Sequence, residues 1–243
     1  FQGASNNRDN TFVRNSVTIG LTYDDNSAHY NRGFSYLGDN AVLEGNKVTV
    51  YNHANNWSEN NDDDRGRQQS CVYGYYQVTS TNDTLIMSDN TMGIYANSLN
   101  MTGTVISNAN PYQTDYYKAV YASGNLDMDE VTITARYPVY FTGTSGTITN
   151  TTIVSIGDDG ITATNSSANL NIERLTLIGG GTAVGLDMED GVTLSMNSSV
   201  VDGFATGLSA VSTPNLYSNS FYNNSVHLSG DGIGSDLGDA SYF

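Results

Sequence analysis

The sequence predicts an all-β chain wound as a right-handed single-stranded parallel β-helix, a solenoid with three short strands per rung of about 22 residues. Three observations predict it. A tetrapeptide recurs at near-constant spacing, short runs of alternating apolar residues lie between its copies, and no 3.6-residue apolar period occurs anywhere.

The tetrapeptide is a small residue, an apolar residue, a variable residue, then a small or apolar one. It reads Cys71-Val72-Tyr73-Gly74, Gly93-Ile94-Tyr95-Ala96, Ala119-Val120-Tyr121-Ala122 and Pro138-Val139-Tyr140-Phe141. It continues as Gly160-Ile161-Thr162-Ala163, Ala183-Val184-Gly185-Leu186 and Gly207-Leu208-Ser209-Ala210. The apolar second places are spaced by about 22, 26, 19, 22, 23 and 24 residues. A second pattern follows each copy, as in Val48-Thr49-Val50, Leu85-Ile86-Met87, Val131-Thr132-Ile133 and Leu175-Thr176-Leu177. A third alternation lies between the two, as in Leu99-Asn100-Met101, Leu126-Asp127-Met128 and Leu170-Asn171-Ile172. Gly, Asn and Asp punctuate these runs as turns do.

One rung cannot bury its apolar positions alone, but stacked rungs form a continuous column of Val, Ile and Leu. Right-handedness follows from the preference of parallel crossovers. About nine to eleven rungs at about 4.8 Å each predict a rod on the order of 45–50 Å long. The whole chain, 1–243, reads as one domain. Residues 93–228 are the regular rungs, and 1–92 are irregular rungs interrupted by a protruding polar loop at 52–70. A smaller insertion spans 108–118, and 229–243 form a cap or tail.

Composition narrows the function classes. The net charge is −16, from 25 acidic and 9 basic residues, which excludes the usual nucleic-acid binder with its basic face. Disorder is disfavoured by 17 Tyr, 3 Pro and many β-branched runs. No apolar stretch approaches the length of a membrane-spanning helix. Cys71 stands alone, only Lys47 and Lys118 are lysines, and 29 residues are Asn. That balance reads as an exported bacterial surface protein, and a first residue of Phe fits a processed start. The seven Asn-x-Ser/Thr sequons are what an Asn-rich chain yields by chance.

With Ala119-Val120-Tyr121-Ala122-Ser123-Gly124 and Gly181-Thr182-Ala183-Val184-Gly185-Leu186 followed by Gly191-Val192-Thr193-Leu194, the rungs resemble the passenger domains of bacterial autotransporters. Those are exported β-helices poor in Cys and Lys and rich in Gly, Asn, Ser and Thr. The resemblance implies a secreted or cell-surface, outer-membrane-anchored virulence adhesin that binds a host glycan or protein, or copies of itself. It implies no catalysis and no cofactor in this chain.

Four groups of residues are candidates for chemistry. Tyr73, Tyr95, Tyr121 and Tyr140 share the third place of the tetrapeptide, so they are expected to point outward and stack as an aromatic ladder. Packing between adjacent strands is sufficient reason for such a column. As a binding strip it suits a glycan or a partner protein, with Tyr116 and Tyr117 of the insertion expected to wall it. Gly157-Asp158-Asp159-Gly160 resembles the paired aspartates of polygalacturonase-type β-helix hydrolases, which use carboxylates as general acid and base. The chain departs from that family by lacking its His-Gly and Arg-x-Lys. Register also places Arg136 one rung below Asp158, as a surface ion pair. Asp62, Asp63 and Asp64 offer hard oxygen ligands to Ca²⁺, but a solvated acidic loop is the better reading, because no Asp-x-Asp-x-Asp-Gly spacing is present. His29, His53 and His227 are too far apart in sequence to suggest a metal site.

A non-catalytic adhesin is therefore the leading expectation. A polysaccharide-active hydrolase or lyase using Asp158 and Asp159 is the alternative, with a purely structural filament or spike beside it. An ice-binding β-helix ranks lower, because only Val-Thr-Ile triplets with a single outward Thr are visible where paired rows of Thr are wanted.

Overall fold

In the computed structural model, the residues described are 9–21, 31–37, 39–52, 69–87, 91–108 and 118–230. They form an all-β solenoid of three parallel nine-stranded sheets, with no helix among the described residues. Each successive strand joins the next sheet, so every third strand is a neighbour. Sheet I runs from Asn10–Val13 to Asn215–Tyr217, sheet II from Ser16–Leu21 to Ser220–Tyr222, and sheet III from Asn31–Leu37 to Val226–Ser229. Nine rungs at about 4.8 Å give a stack roughly 40 Å tall. Most of the expected loop at 52–70, most of the insertion at 108–118 and the tail from 231 lie outside the described residues.

Inward positions of the three sheets meet in one continuous apolar column. Its sheet II wall is Val17, Val48, Leu85, Ile106, Ile133, Ile153, Leu177, Val201 and Phe221, stacked in register. Removing such side chains from water at about 25 cal/mol per Å² is the main stabilising term. The small first place of the tetrapeptide has a steric cause. A Cβ on Gly93 would lie 2.3 Å from the Ala119 carbonyl oxygen and 2.9 Å from Ile106 Cγ2. At Gly185 it would meet the Gly207 oxygen at 2.5 Å and Val201 Cγ1 at 2.8 Å. The strand of sheet III thus enters pressed between the next rung's backbone and sheet II. Cys71 fills one of these places, fully buried, and burial pushes its thiol up to about 12. It is a small apolar core residue.

One register differs from the sequence expectation. Ile161 pairs with Leu186, and Thr162 with Asp187. The sixth tetrapeptide is therefore Gly185-Leu186-Asp187-Met188, two residues later than Ala183 to Leu186. Val184 is half-buried, whereas Leu186 is fully buried.

The corner from sheet I to sheet II is built the same way in every rung. One residue adopts positive φ: Arg14, Gly45, Asn82, Gly103, Glu130, Asn150, Arg174 and Ser198, then Ser218. The next residue turns inward: Asn15, Asn46, Asp83, Thr104, Val131, Thr151, Leu175, Ser199 and Asn219. Backbone pairing continues through the corner, as when Asn82 N–H donates to Thr102 O at 2.8 Å and Val105 N–H to Asp83 O at 2.8 Å. At four of these corners the inward residue's own N–H is taken by the side chain of the next rung. Asn15 N–H donates to Asn46 Oδ1 at 2.9 Å, and Asn46 N–H to Asp83 Oδ1 at 2.6 Å. Leu175 N–H donates to Ser199 Oγ at 3.0 Å, and Ser199 N–H to Asn219 Oδ1 at 3.0 Å. Asp83 also accepts from Ser80 Oγ at 2.7 Å, and burial holds its carboxyl above the usual carboxylate range despite these donors. The Asn, Ser and Thr expected to form ladders at the turns do so here.

Gly103 tests this corner, because its φ is +59° and an added Cβ would lie 2.4 Å from Asn82 Oδ1. Gly103→Ala is expected to lower stability by about 1–2 kcal/mol. Urea unfolding followed by circular dichroism would read that as a lower midpoint with an unchanged slope.

Candidate functional site

The aromatic ladder forms on sheet III at the expected register. Tyr73 pairs with Tyr95, Tyr95 with Tyr121, and Tyr121 with Tyr140. Ring centroids are 5.1, 4.8 and 5.5 Å apart, and the interplanar angles open from 12° through 19° to 30°. Between Ile94 and Ala96, both fully buried inward residues, Tyr95 must face outward, since side chains alternate along a strand. The rings belong to a cluster separate from the main core, with Met92 as its fifth member.

The exposure of this strip differs from a free binding face. Tyr73, Tyr95 and Tyr121 are only 8–9% exposed, and Tyr140 is half-buried. Their faces are spent on one another and on cations. The Arg32 guanidinium lies 3.9 Å from the Tyr73 ring centroid, and the Lys118 ammonium 4.8 Å from that of Tyr140. Such contacts are worth about 0.5–1 kcal/mol at exposed sites and more when desolvated. Tyr116 and Tyr117, expected to wall the strip, lie outside the described residues, as do Asp62, Asp63 and Asp64, the candidate Ca²⁺ ligands. Among the described residues, no three His, Cys, Asp or Glu gather as a metal site.

Other tyrosines are exposed: Tyr217 and Tyr222 on the last strands of sheets I and II, and the adjacent pair Tyr75 and Tyr76. Tyr75 and Tyr76, at the corner from sheet III to sheet I, are 61% and 51% exposed. Their rings meet edge-on at 4.9 Å. They follow Tyr73-Gly74 directly, on the same rung as the Arg32-capped end of the ladder. Sequence reasoning passed over them because they sit outside the tetrapeptide. Their adjacency was the available signal, since neighbouring residues in a strand face opposite ways and only a turn exposes both.

Beyond Tyr140 the same outward column carries Thr162, Asp187, Ser209 and Ser229. Here the chain's acidic candidates gather. Arg136 Nε donates to Asp158 Oδ2 at 2.7 Å, the ion pair that register placed there. The Arg136 side chain crosses Gly157, where a Cβ would lie 3.1 Å from its Cγ. Asp158 is further fixed through its backbone, with Ser155 Oγ donating to its carbonyl and its own N–H donating to Arg136 O. Asp159 Oδ1 accepts the Val184 N–H at 2.9 Å. The two aspartates of the Gly-Asp-Asp-Gly motif thus hold the turn to the rungs on either side.

Asp187, which the misread register hid, joins them. Burial first, then the negative charges of Asp159 and Glu189, push its carboxyl above the usual value of 3.8. No helix among the described residues is long and apolar enough to cross a membrane. Compared with protein-family models, with curated proteins and with solved structures, the chain matches none.

Two outcomes are expected. Tyr121→Ala removes two ring contacts from a buried position, so it should cost roughly 3 kcal/mol, measured by urea unfolding. Asp187 holds its proton more tightly in the folded chain than in the unfolded one. Its contribution to stability is therefore complete below 3.8 and lost as pH rises through the folded value. Asp187→Asn should melt higher than the parent at neutral pH, with the difference vanishing below 3.8, by thermal scans across that range.

Proposed function

We propose that this chain is a non-catalytic interaction rod of a secreted or cell-surface adhesin, which holds a glycan or protein ligand against the exposed Tyr75–Tyr76 corner. One observation carries the reading. Two neighbouring tyrosines stand exposed on a rigid solenoid, directly beside a ladder of stacked rings that cannot yield. Tyr offers large amphipathic contact area at small entropy cost, and mounting it on packed rungs reduces that cost further. Sugar rings stack their C–H faces on such aromatics, and protein partners bury them as anchors. Tyr73, Tyr95, Tyr121 and Tyr140 act in this reading as the support that fixes the corner. The autotransporter-like composition is consistent with display outside the cell, with ligand contact along the rod.

Binding to a glycan array and a matrix-protein panel would test it. The double variant Tyr75→Ala with Tyr76→Ala is expected to lose most binding while melting within a few degrees of the parent. Undiminished binding, or none by the parent across both panels, would sink the proposal.

A second reading, a polysaccharide-active enzyme, is favoured by Asp159 and Asp187 on neighbouring rungs, close enough that the charge of Asp159 helps bias the Asp187 carboxyl toward its protonated form. In that reading Asp187 is the acid and Asp159 the base. Incubation with pectin and alginate would then release new reducing or unsaturated ends, and Asp159→Asn or Asp187→Asn would abolish them.

A further inference from the structure

The outward residues of sheet II form a regular array that the sequence pattern had concealed. Val131 is the inward corner residue, and the strand is Thr132–Ala135, with Ile133 pointing to the core. Thr132 and Thr134 therefore both face outward. The pairing register extends this to two parallel columns. One is Thr84, Val105, Thr132, Thr152, Thr176 and Val200. The other is Ile86, Ser107, Thr134, Val154 and Ile178. None of these pairings is interrupted by a bulge.

Every one of these eleven positions is uncharged, and ten of them are β-branched. The first two outward columns of sheet I over the same rungs are Asn, Ser, Thr and Gln with one charge, Asp127, so β-branching together with the absence of charge sets the sheet II face apart. Lys47 and Asp202 bound it at its two ends. Glu130 and Arg174 stand at the corner outside it. Val105, Ile178 and Val200 are exposed, so the face presents methyl groups as well as hydroxyls to solvent.

We propose that this face binds ice. Its uncharged, β-branched chemistry points to one partner, a crystalline water surface, and the spacing common to the solenoid's sheets sets the array's two repeats. Along the rod the side chains recur every 4.8 Å or so, and across it, from one column to the other, every 6.6 Å or so. Those two repeats are close to the oxygen repeats on the prism faces of hexagonal ice. β-Branched side chains hold a single favoured χ1, so hydroxyls and methyls stay at lattice positions without ordering on contact. The methyls favour a cage-like first layer of water, and the Thr hydroxyls anchor that layer by hydrogen bonds. A charged group would hold water in an orientation foreign to the lattice, which gives the absence of charge its significance. A second copy of the chain is the competing occupant. The array covers only about 30 by 13 Å, roughly half the area per partner of a standard protein interface, and two such acidic rods repel each other.

The test is thermal hysteresis and ice-crystal shaping by the purified chain, with the same substitution made on two faces of one rung. The parent is expected to facet ice crystals and to open a gap between melting and freezing. Thr152→Lys, in the middle of the array, should abolish the gap. Thr147→Lys, on the outer face of sheet I, should leave it unchanged. Should Thr152→Lys fail to fold, Val105→Lys at an already exposed position should also abolish it. An unshaped crystal and no gap with the parent would overturn the proposal, as would a gap that survives a folded Thr152→Lys or Val105→Lys. A concentration-dependent dimer in sedimentation, lost in these variants while the parent leaves ice unshaped, would overturn it in favour of face-to-face pairing. Tyr75 and Tyr76 lie on another corner, so neither outcome depends on adhesion.

Discussion

The rest of this structure depends on a main-chain N–H that has nowhere to go within its own rung. At each corner between sheets I and II the chain turns inward, and at four of them that N–H is met by a side chain of the next rung. A buried donor without an acceptor costs about 1–3 kcal/mol. Asn46, Asp83, Ser199 and Asn219 each supply the acceptor for the rung before their own. At these four corners neighbouring rungs are completed by one another, and a slip of register there would orphan the donor. The positive φ of the preceding residue costs about 1–2 kcal/mol where that residue is not Gly. It is the geometry that lets the backbone ladder pass the corner unbroken.

Once the inner register is fixed, the outer columns follow, and the three faces diverge. Sheet III carries stacked tyrosines over four rungs and then polar and acidic residues. Sheet II carries Thr, Val and Ile. The few cations are spent locally: Arg32 and Lys118 on rings, Arg136 on Asp158, and Arg174 on Asn150 and Glu173. What remains is an acidic molecule whose sheet II face is uncharged between Lys47 and Asp202.

The repeat was legible because inward positions have no alternative to apolar residues, and period two in three short strands has few readings. The aromatic column was legible for the same reason, being the outward place between two inward ones. Its burial was not, since exposure depends on what neighbouring rungs lay across the rings. The sixth tetrapeptide was misplaced because Val184 and Leu186 are both apolar with small residues before them. The choice falls on Leu186 because Gly185 alone fits against the Gly207 carbonyl. That slip hid Asp187 from the acidic group. Reading Val131 as a strand residue likewise hid the second outward Thr of its rung. The corner acceptors were invisible among 29 Asn until a positive φ marked where each rung turns.

By itself the sequence determined that this chain must stack. Its apolar residues are too few and too evenly spaced for any other core, and its polar residues suit turns and outer faces. Tertiary structure alone decided which side chains share a face and which are hidden. Those outcomes rest on a register chosen by close backbone contacts and buried donors, quantities that belong to pairs of rungs and to no single stretch of sequence.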